Sequence, residues 1–149
     1  MILFESEISF HLTTKRIFKY WINALITKEG KKPGDIHYLF CSDEYLLSIN
    51  QKYLDHDTYT DIITFDYSEE NTISGDIFIS IDRVKENAPK YEVTFQEELV
   101  RVMAHGIFHL LGFGDHSESE KKIMRNKENE AIQLYDLLKG EMHNTKEAK

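Results

Sequence analysis

His105 and His109 stand four residues apart, and Gly112, Asp115 and His116 follow before the next polar stretch. On an α-helix, positions i and i+4 share a face, with Cβ atoms about 5–6 Å apart. Two imidazoles so placed can hold one cation. A first-row divalent ion such as zinc takes three or four N, O or S donors in tetrahedral geometry. Gly112 can leave the helix in a left-handed conformation, which reverses the chain. Either Asp115 or His116 then returns to the ion. Three protein donors leave one coordination position open, as in catalytic zinc sites. The expectation is one zinc ion per chain.

The elements that must position these residues are legible as hydrophobic periods. Ile2, Phe4, Ile8, Phe10 and Leu12 share one parity, which predicts a half-buried strand. The period then changes. Ile17, Trp21, Ala24 and Leu25 form one face of a helix over 13–28, closed by a Gly/Pro loop over 29–34. A second strand is expected over 36–41, then a short helix capped by Ser42 and ending near Asn50, then a polar loop over 52–59. Residues 61–67 and 75–80 read as strands, joined by a turn over 68–74. A short helix follows over 81–87, stopped near Pro89. Thr94 and Glu97 fit a capping box that opens the histidine helix; Ser117 and Glu120 fit a second one. The last helix carries Ala131, Leu134, Tyr135 and Leu138 on one face. Residues 141–149 are polar and are expected to form a flexible tail on a single domain over 1–140. The order β-α-β-α-β-β-α-α-α predicts an α+β domain, a mixed sheet of about four strands packed by helices.

Bulk properties narrow the class. A chain of 149 residues with 41% hydrophobic content suits one domain with a real core. The single cysteine, Cys41, excludes an internal disulfide and suits a reducing compartment. It reads as a buried strand-end thiol. No apolar run approaches the roughly 18–20 residues that span a bilayer. The N-terminal stretch carries Glu5 and Glu7 and lacks a basic start, so it is no secretory signal. A cytoplasmic location is expected, with no membrane partner. The net charge of −8 opposes indiscriminate binding to nucleic acid, yet leaves room for a local basic patch.

The histidine pair resembles the zincin helix, but Gly106 stands where a metalloprotease has its glutamate base. Peptide hydrolysis by that route is therefore not expected. Three segments together resemble the YbeY family of bacterial endoribonucleases, also called rRNA maturation factors. They are the 105–116 stretch, Asn50–Tyr53 followed by Thr60-Asp-Ile-Ile-Thr-Phe65, and Gly75-Asp-Ile-Phe-Ile79. The resemblance runs from about Ile36 to Leu138. It implies a zinc-dependent hydrolase that cuts single-stranded RNA in 16S rRNA 3′-end maturation and ribosome quality control. It implies rRNA and the small ribosomal subunit, or its proteins, as partners.

Two departures from the family pattern matter. The family motif runs H-G-x-x-H-L-x-G-Y-D-H, with its third ligand six residues after the second. Here Gly114 is extra, so Asp115 takes the six-residue spacing and His116 lies one further. Asp115 is favoured as third ligand beside His105 and His109, with His116 as rival. Leu54 stands where the family usually has an arginine. Lys52, His56, Arg83 and Arg101 are candidates to meet phosphate charge instead. Asp61 and Asp76, at strand starts, are candidates for acid–base work, as is His116. Their alternative role is capping turns by side-chain hydrogen bonds. Lys121, Lys122, Arg125 and Lys127 either touch phosphates or form a solvated face with the glutamates between them. The rivals to an endoribonuclease are a ribosome-assembly binding protein with a structural metal, and a metal-dependent hydrolase of another substrate.

Overall fold

The structure is a computed structural model. It describes residues 1–54 and 60–147, with side chains through 142. The elements are β1 (Ile2–Ser6), α1 (Lys15–Lys28), β2 (Lys32–Cys41), α2 (Asp43–Leu54), β3 (Ile62–Asp66), β4 (Thr72–Ser80), α3 (Ile81–Lys90), α4 (Phe95–Leu110) and α5 (Glu118–Glu147). The sheet order is β1-β2-β4-β3. β1 runs parallel to β2, and β2 to β4; β3 is antiparallel to β4 and forms an edge. The α+β architecture with a four-stranded mixed sheet is the one expected.

Several boundaries differ for physical reasons. β1 stops at Ser6 because β2, its partner, ends at Cys41; Glu7 N–H still donates to Phe40 O at 2.8 Å. Ile8, Phe10 and Leu12 pack on the core without joining a ladder. β2 begins inside the expected loop, at Lys32, and a register shift between Pro33 and Ile36 absorbs the irregularity. β4 likewise starts at Thr72 rather than Gly75. α2 continues to Leu54, so only part of the expected 52–59 loop lies among the described residues. α3 holds Pro89 in its last turn. α5 passes Gly140 and runs to Glu147, where a flexible tail was expected.

Strand alternation divides the molecule. Ile36, Tyr38, Phe40, Ile77 and Ile79 join α1, α3, α4 and α5 in one large core. Cys41, Leu46 and Ile63 form a smaller cluster under α2, on the other face. Cys41 is fully buried and burial pushes its thiol up to about 12, so it is packing rather than a nucleophile.

Three contacts seat α4. Tyr38 Oη donates to Met103 O at 2.9 Å from β2 below. Thr94 Oγ1 accepts from Glu97 N–H at 3.1 Å and caps the start. Gly106 lets the helix lie against β4 and β3: a Cβ there would meet Ile77 Cγ2 at 2.9 Å and Ile62 Cδ1 at 3.1 Å. Those are flexible methyl ends. At Gly75 a Cβ would instead meet the backbone oxygen of Phe65 at 2.5 Å.

The two glycines should therefore respond differently. Gly75→Ala should destabilise by about 1–3 kcal/mol because a ladder oxygen has nowhere to go. Gly106→Ala should cost less, since gained helix propensity of about 1 kcal/mol offsets local crowding. Urea unfolding of both variants checks this; a larger loss at Gly106 would contradict it.

Candidate metal centre

α4 is buried on most of its surface, and one polar stripe carries Glu98, itself buried, with the partly exposed Arg101, His105 and His109. The i, i+4 spacing sets the two rings edge to face, with Nε2 atoms 2.8 Å apart. Gly112 takes φ +99, and the chain turns back as expected. Asp115 Oδ2 then lies 3.3 Å from His105 Nε2 and 3.4 Å from His109 Nε2. These edges put the three atoms on a circle of radius about 1.8 Å, a spacing that would suit donors sharing one ion at the usual zinc distance of about 2.0–2.1 Å. Among the described residues, His105, His109 and Asp115 are the group able to hold a metal ion.

Each ring is fixed from behind. His105 Nδ1 meets Glu128 Oε2 at 2.7 Å, and His109 Nδ1 meets Phe113 O at 3.0 Å. An Nδ1–H donated to those acceptors leaves Nε2 with its lone pair facing the triangle, the tautomer a metal needs. Glu128 comes from α5 and also accepts from Arg101 Nη1 at 3.0 Å. α5 is itself started by the second capping box: Glu120 N–H donates to Ser117 Oγ at 3.1 Å, and Ser117 N–H to Glu120 Oε1 at 3.0 Å.

The charges around this network are strongly shaped. Burial opposes charge on His105, but its bond to Glu128 and the nearby carboxylates outweigh that and raise its pKa. Burial and the neighbouring His105 lower His109. Burial would raise Glu128, yet its bonds to His105 and Arg101 win and keep it ionised. Burial raises Asp61, against the pull of His105. Burial, with Asp61 and Glu128 adding repulsion, pushes Glu98 up to about 7.

The triangle opens on a cavity of about 420 Å³ whose walls include Asp61, Glu98, Arg101 and Arg125. Asp61 is thus brought to the site. Asp76 is not: it lies on the opposite sheet face, with Oδ1 3.9 Å from His37 Nδ1. The parity of β4 dictates this, because Ile77 beside it points to α4. His116 is exposed in the turn, and its backbone N–H donates to Glu120 Oε1 at 3.3 Å. Arg83 is engaged elsewhere, 2.9 Å from Asp43, and Lys52 lies over the Tyr53 ring. His56 lies outside the described residues. Glu98 and Glu128 were not singled out from sequence. Glu98 had a signal, being two helical turns before His105; Glu128 had none, since α5 meets α4 only through the fold.

Removing Glu128 should loosen the centre without touching a donor atom. Glu128→Ala should weaken metal affinity by about 10–100-fold in competition with a chromophoric chelator. Unchanged affinity would show that ring orientation is set elsewhere. Glu98 predicts a pH effect. Its ordinary value is 4.5 and its folded value about 7. Between these the folded protein holds a proton that the unfolded chain releases, so this group's contribution to stability falls as pH rises through the window. Glu98→Gln should remove that slope and gain on the wild type from about pH 5 to about pH 8 in urea unfolding. An equal difference at both pH values would refute the assignment.

Comparison with known proteins supports one relationship throughout. A family model described as Endoribonuclease YbeY matches residues 3–136. The chain is 50% identical over 135 residues to Endoribonuclease YbeY of Flavobacterium johnsoniae, covering 91% of this chain and 97% of that protein. It is 51% identical over 134 residues to the namesake in Christiangramia forsetii, covering 90% and 94%. The solution structure of TM1509 from Thermotoga maritima superposes with a TM-score of 0.62 at 26% identity, covering 97% of this chain and 93% of that one. The family match over most of the length and identities of about half establish the relationship: the chain belongs to the YbeY endoribonuclease family.

Proposed function

We propose that this protein is a zinc-dependent endoribonuclease that cuts single-stranded RNA, in 16S rRNA 3′-end maturation and ribosome quality control in the cytoplasm. No helix among the described residues is long and apolar enough to cross a membrane. The observation that carries the reading is the His105–His109–Asp115 triangle opening on a cavity with arginines in its wall. His105, His109 and Asp115 hold the ion, and His116 serves the turn. When bound, zinc in such a donor set supplies Lewis acidity and an acidic water near neutral pH.

The chain's own residues do the rest. Glu128 fixes His105 and keeps its Nε2 lone pair available. Arg101 and Arg125 supply positive charge for the phosphate, in place of the arginine that Leu54 replaces. They do so locally, against a surface whose net charge of −8 repels other polyanions. Asp61, its pKa raised by burial above that of an ordinary aspartate, is the group in the cavity suited to take and return a proton.

A second reading has a specific observation behind it. Leu54 is 41% exposed and can hold no phosphate, so a ribosome-assembly factor with a structural metal is the alternative. One experiment separates them. Metal-loaded wild type should cleave precursor rRNA, and His109→Ala should lose about 100-fold or more, the range of a lost metal contribution. Elemental analysis should show Asp115→Ala losing its ion and His116→Ala keeping it. Ribosome association with no cleavage by the wild type would favour the assembly factor.

A further inference from the structure

The cavity beside the triangle holds a group that the reaction as described does not use. Glu98 is only 4% exposed, and no donor among the described residues reaches its Oε1. A buried acceptor left unpaired is costly, and a ligand that supplies the missing N–H is rewarded for it. Glu98 shares the cavity wall with His105 and Asp115, so a ligand at Glu98 is continuous with one at the metal centre. Val93 and Val102 give the cavity apolar walls, and Tyr91, 54% exposed, adds an aromatic face. Arg125, whose side chain is 61% exposed, adds a cation held only loosely, 3.8 Å from Glu128. A volume of about 420 Å³ falls in the usual range of small-ligand sites. Two valines, an aromatic face, one deep acceptor and an exposed cation suit a nucleobase with its phosphate, beside a wall that also carries Asp61, Asp115 and Glu128.

We propose that this cavity takes the base of the nucleotide adjoining the scissile phosphate, and that Glu98 selects guanine there. The inference rests on the endoribonuclease reading above. Guanine alone among the four bases presents two parallel N–H donors, from N1 and N2, on its pairing edge. An ionised Glu98 accepts both, and it is ionised above its pKa of about 7, so binding is read at about pH 8. Adenine, cytosine and uracil each set an acceptor beside their one donor, and that acceptor would face a carboxyl oxygen. A site built to satisfy donors rejects ligands that lack them far better than a greasy slot rejects a shape. The base must be unstacked to enter, which requires single-stranded RNA. Glu98 is thus a specificity-determining residue, and the metal donors need not change for its preference to change.

The test is binding, read apart from cleavage. Wild type stripped of metal, and the same protein carrying Glu98→Gln, are titrated by fluorescence anisotropy. The probes are short oligouridines with G, A, C or U at one central position. Wild type should prefer the guanine probe by about 10-fold or more, the scale of one bidentate base contact. Glu98→Gln offers one donor and one acceptor, so its preference should move to adenine. Glu98→Asp keeps both acceptors but withdraws them, so it should weaken guanine binding without creating an adenine preference. This second variant decides the matter if Glu98→Gln does not melt cooperatively. Equal affinity for all four probes overturns the proposal. So does a preference for another base in wild type, or a guanine preference that survives both substitutions. If wild type binds none of the probes, the pocket assignment fails while the endoribonuclease reading, decided by cleavage of precursor rRNA, is untouched; if it binds all alike, only the guanine assignment fails.

Discussion

Everything at the centre depends on the hydrogen bond between His105 Nδ1 and Glu128 Oε2, at 2.7 Å. It joins α4 to α5 in a partly buried place where an unpaired carboxylate would be costly. The bond answers that by making one group serve two donors: Glu128 takes His105 on one oxygen and Arg101 on the other. Each partner is held where a free side chain would sample several rotamers. The ring is thereby aimed before any ligand arrives, and the entropy of aiming it is met during folding rather than binding. α5 must then be placed to within a fraction of a helical turn. The Ser117–Glu120 capping box starts it, and Trp21 Nε1–H donating to Ala131 O at 2.8 Å ties it to α1.

The sheet contributes a rigid floor. Gly106 and the buried face of α4 settle on β4 and β3, while Tyr38 reaches up from β2 to a helix carbonyl. A helix so fixed has little freedom to rotate. Its polar stripe must face the gap between β3 and α5, and that gap is the cavity. The position of the site is thus a consequence of packing one apolar helix face, and the side chains of the stripe supply the chemistry.

How much of this was legible in the sequence follows the range of each interaction. Spacings within one element were clear: the histidine pair, both capping boxes and the reversing glycine all read locally, while Asp115 and His116 stayed rivals because the turn beyond Gly112 has no fixed period. Boundaries set by partners were not. β1 ends where β2 stops supplying hydrogen bonds, and β2 enters a Gly/Pro segment because β4 lies alongside to pair with it. Asp61 and Asp76 had equal standing as strand-start carboxylates, and only the sheet separates them, one into the cavity and one onto the far face. Glu128 lies in a run of alternating charges that looks like a solvated helix face. Nothing local distinguishes it from Glu130. The fold chooses it, by laying that turn of α5 across His105.

The carboxyl groups around the cavity show how one small space supports different protonation states. Glu128 has two cationic or donor partners and stays ionised despite burial. Asp61 and Glu98 have burial without comparable hydrogen bonds, and each is raised, with repulsion from the other or from Glu128 adding to the effect. The separation follows from partner count rather than depth. Groups pushed apart in this way can divide the work of a site: one holds a fixed charge, while the others keep their protons to higher pH than ordinary carboxyls. A carboxylate third donor fits that division. Were Asp115 to hold a dication with the two histidines, its carboxylate would offset part of the charge and leave nearby water less acidic than three imidazoles would. A site that weakens its own water in this way has more need of a nearby proton acceptor. Asp61, whose pKa the same burial raises, stands in the cavity wall just before the edge strand, where it would meet that need.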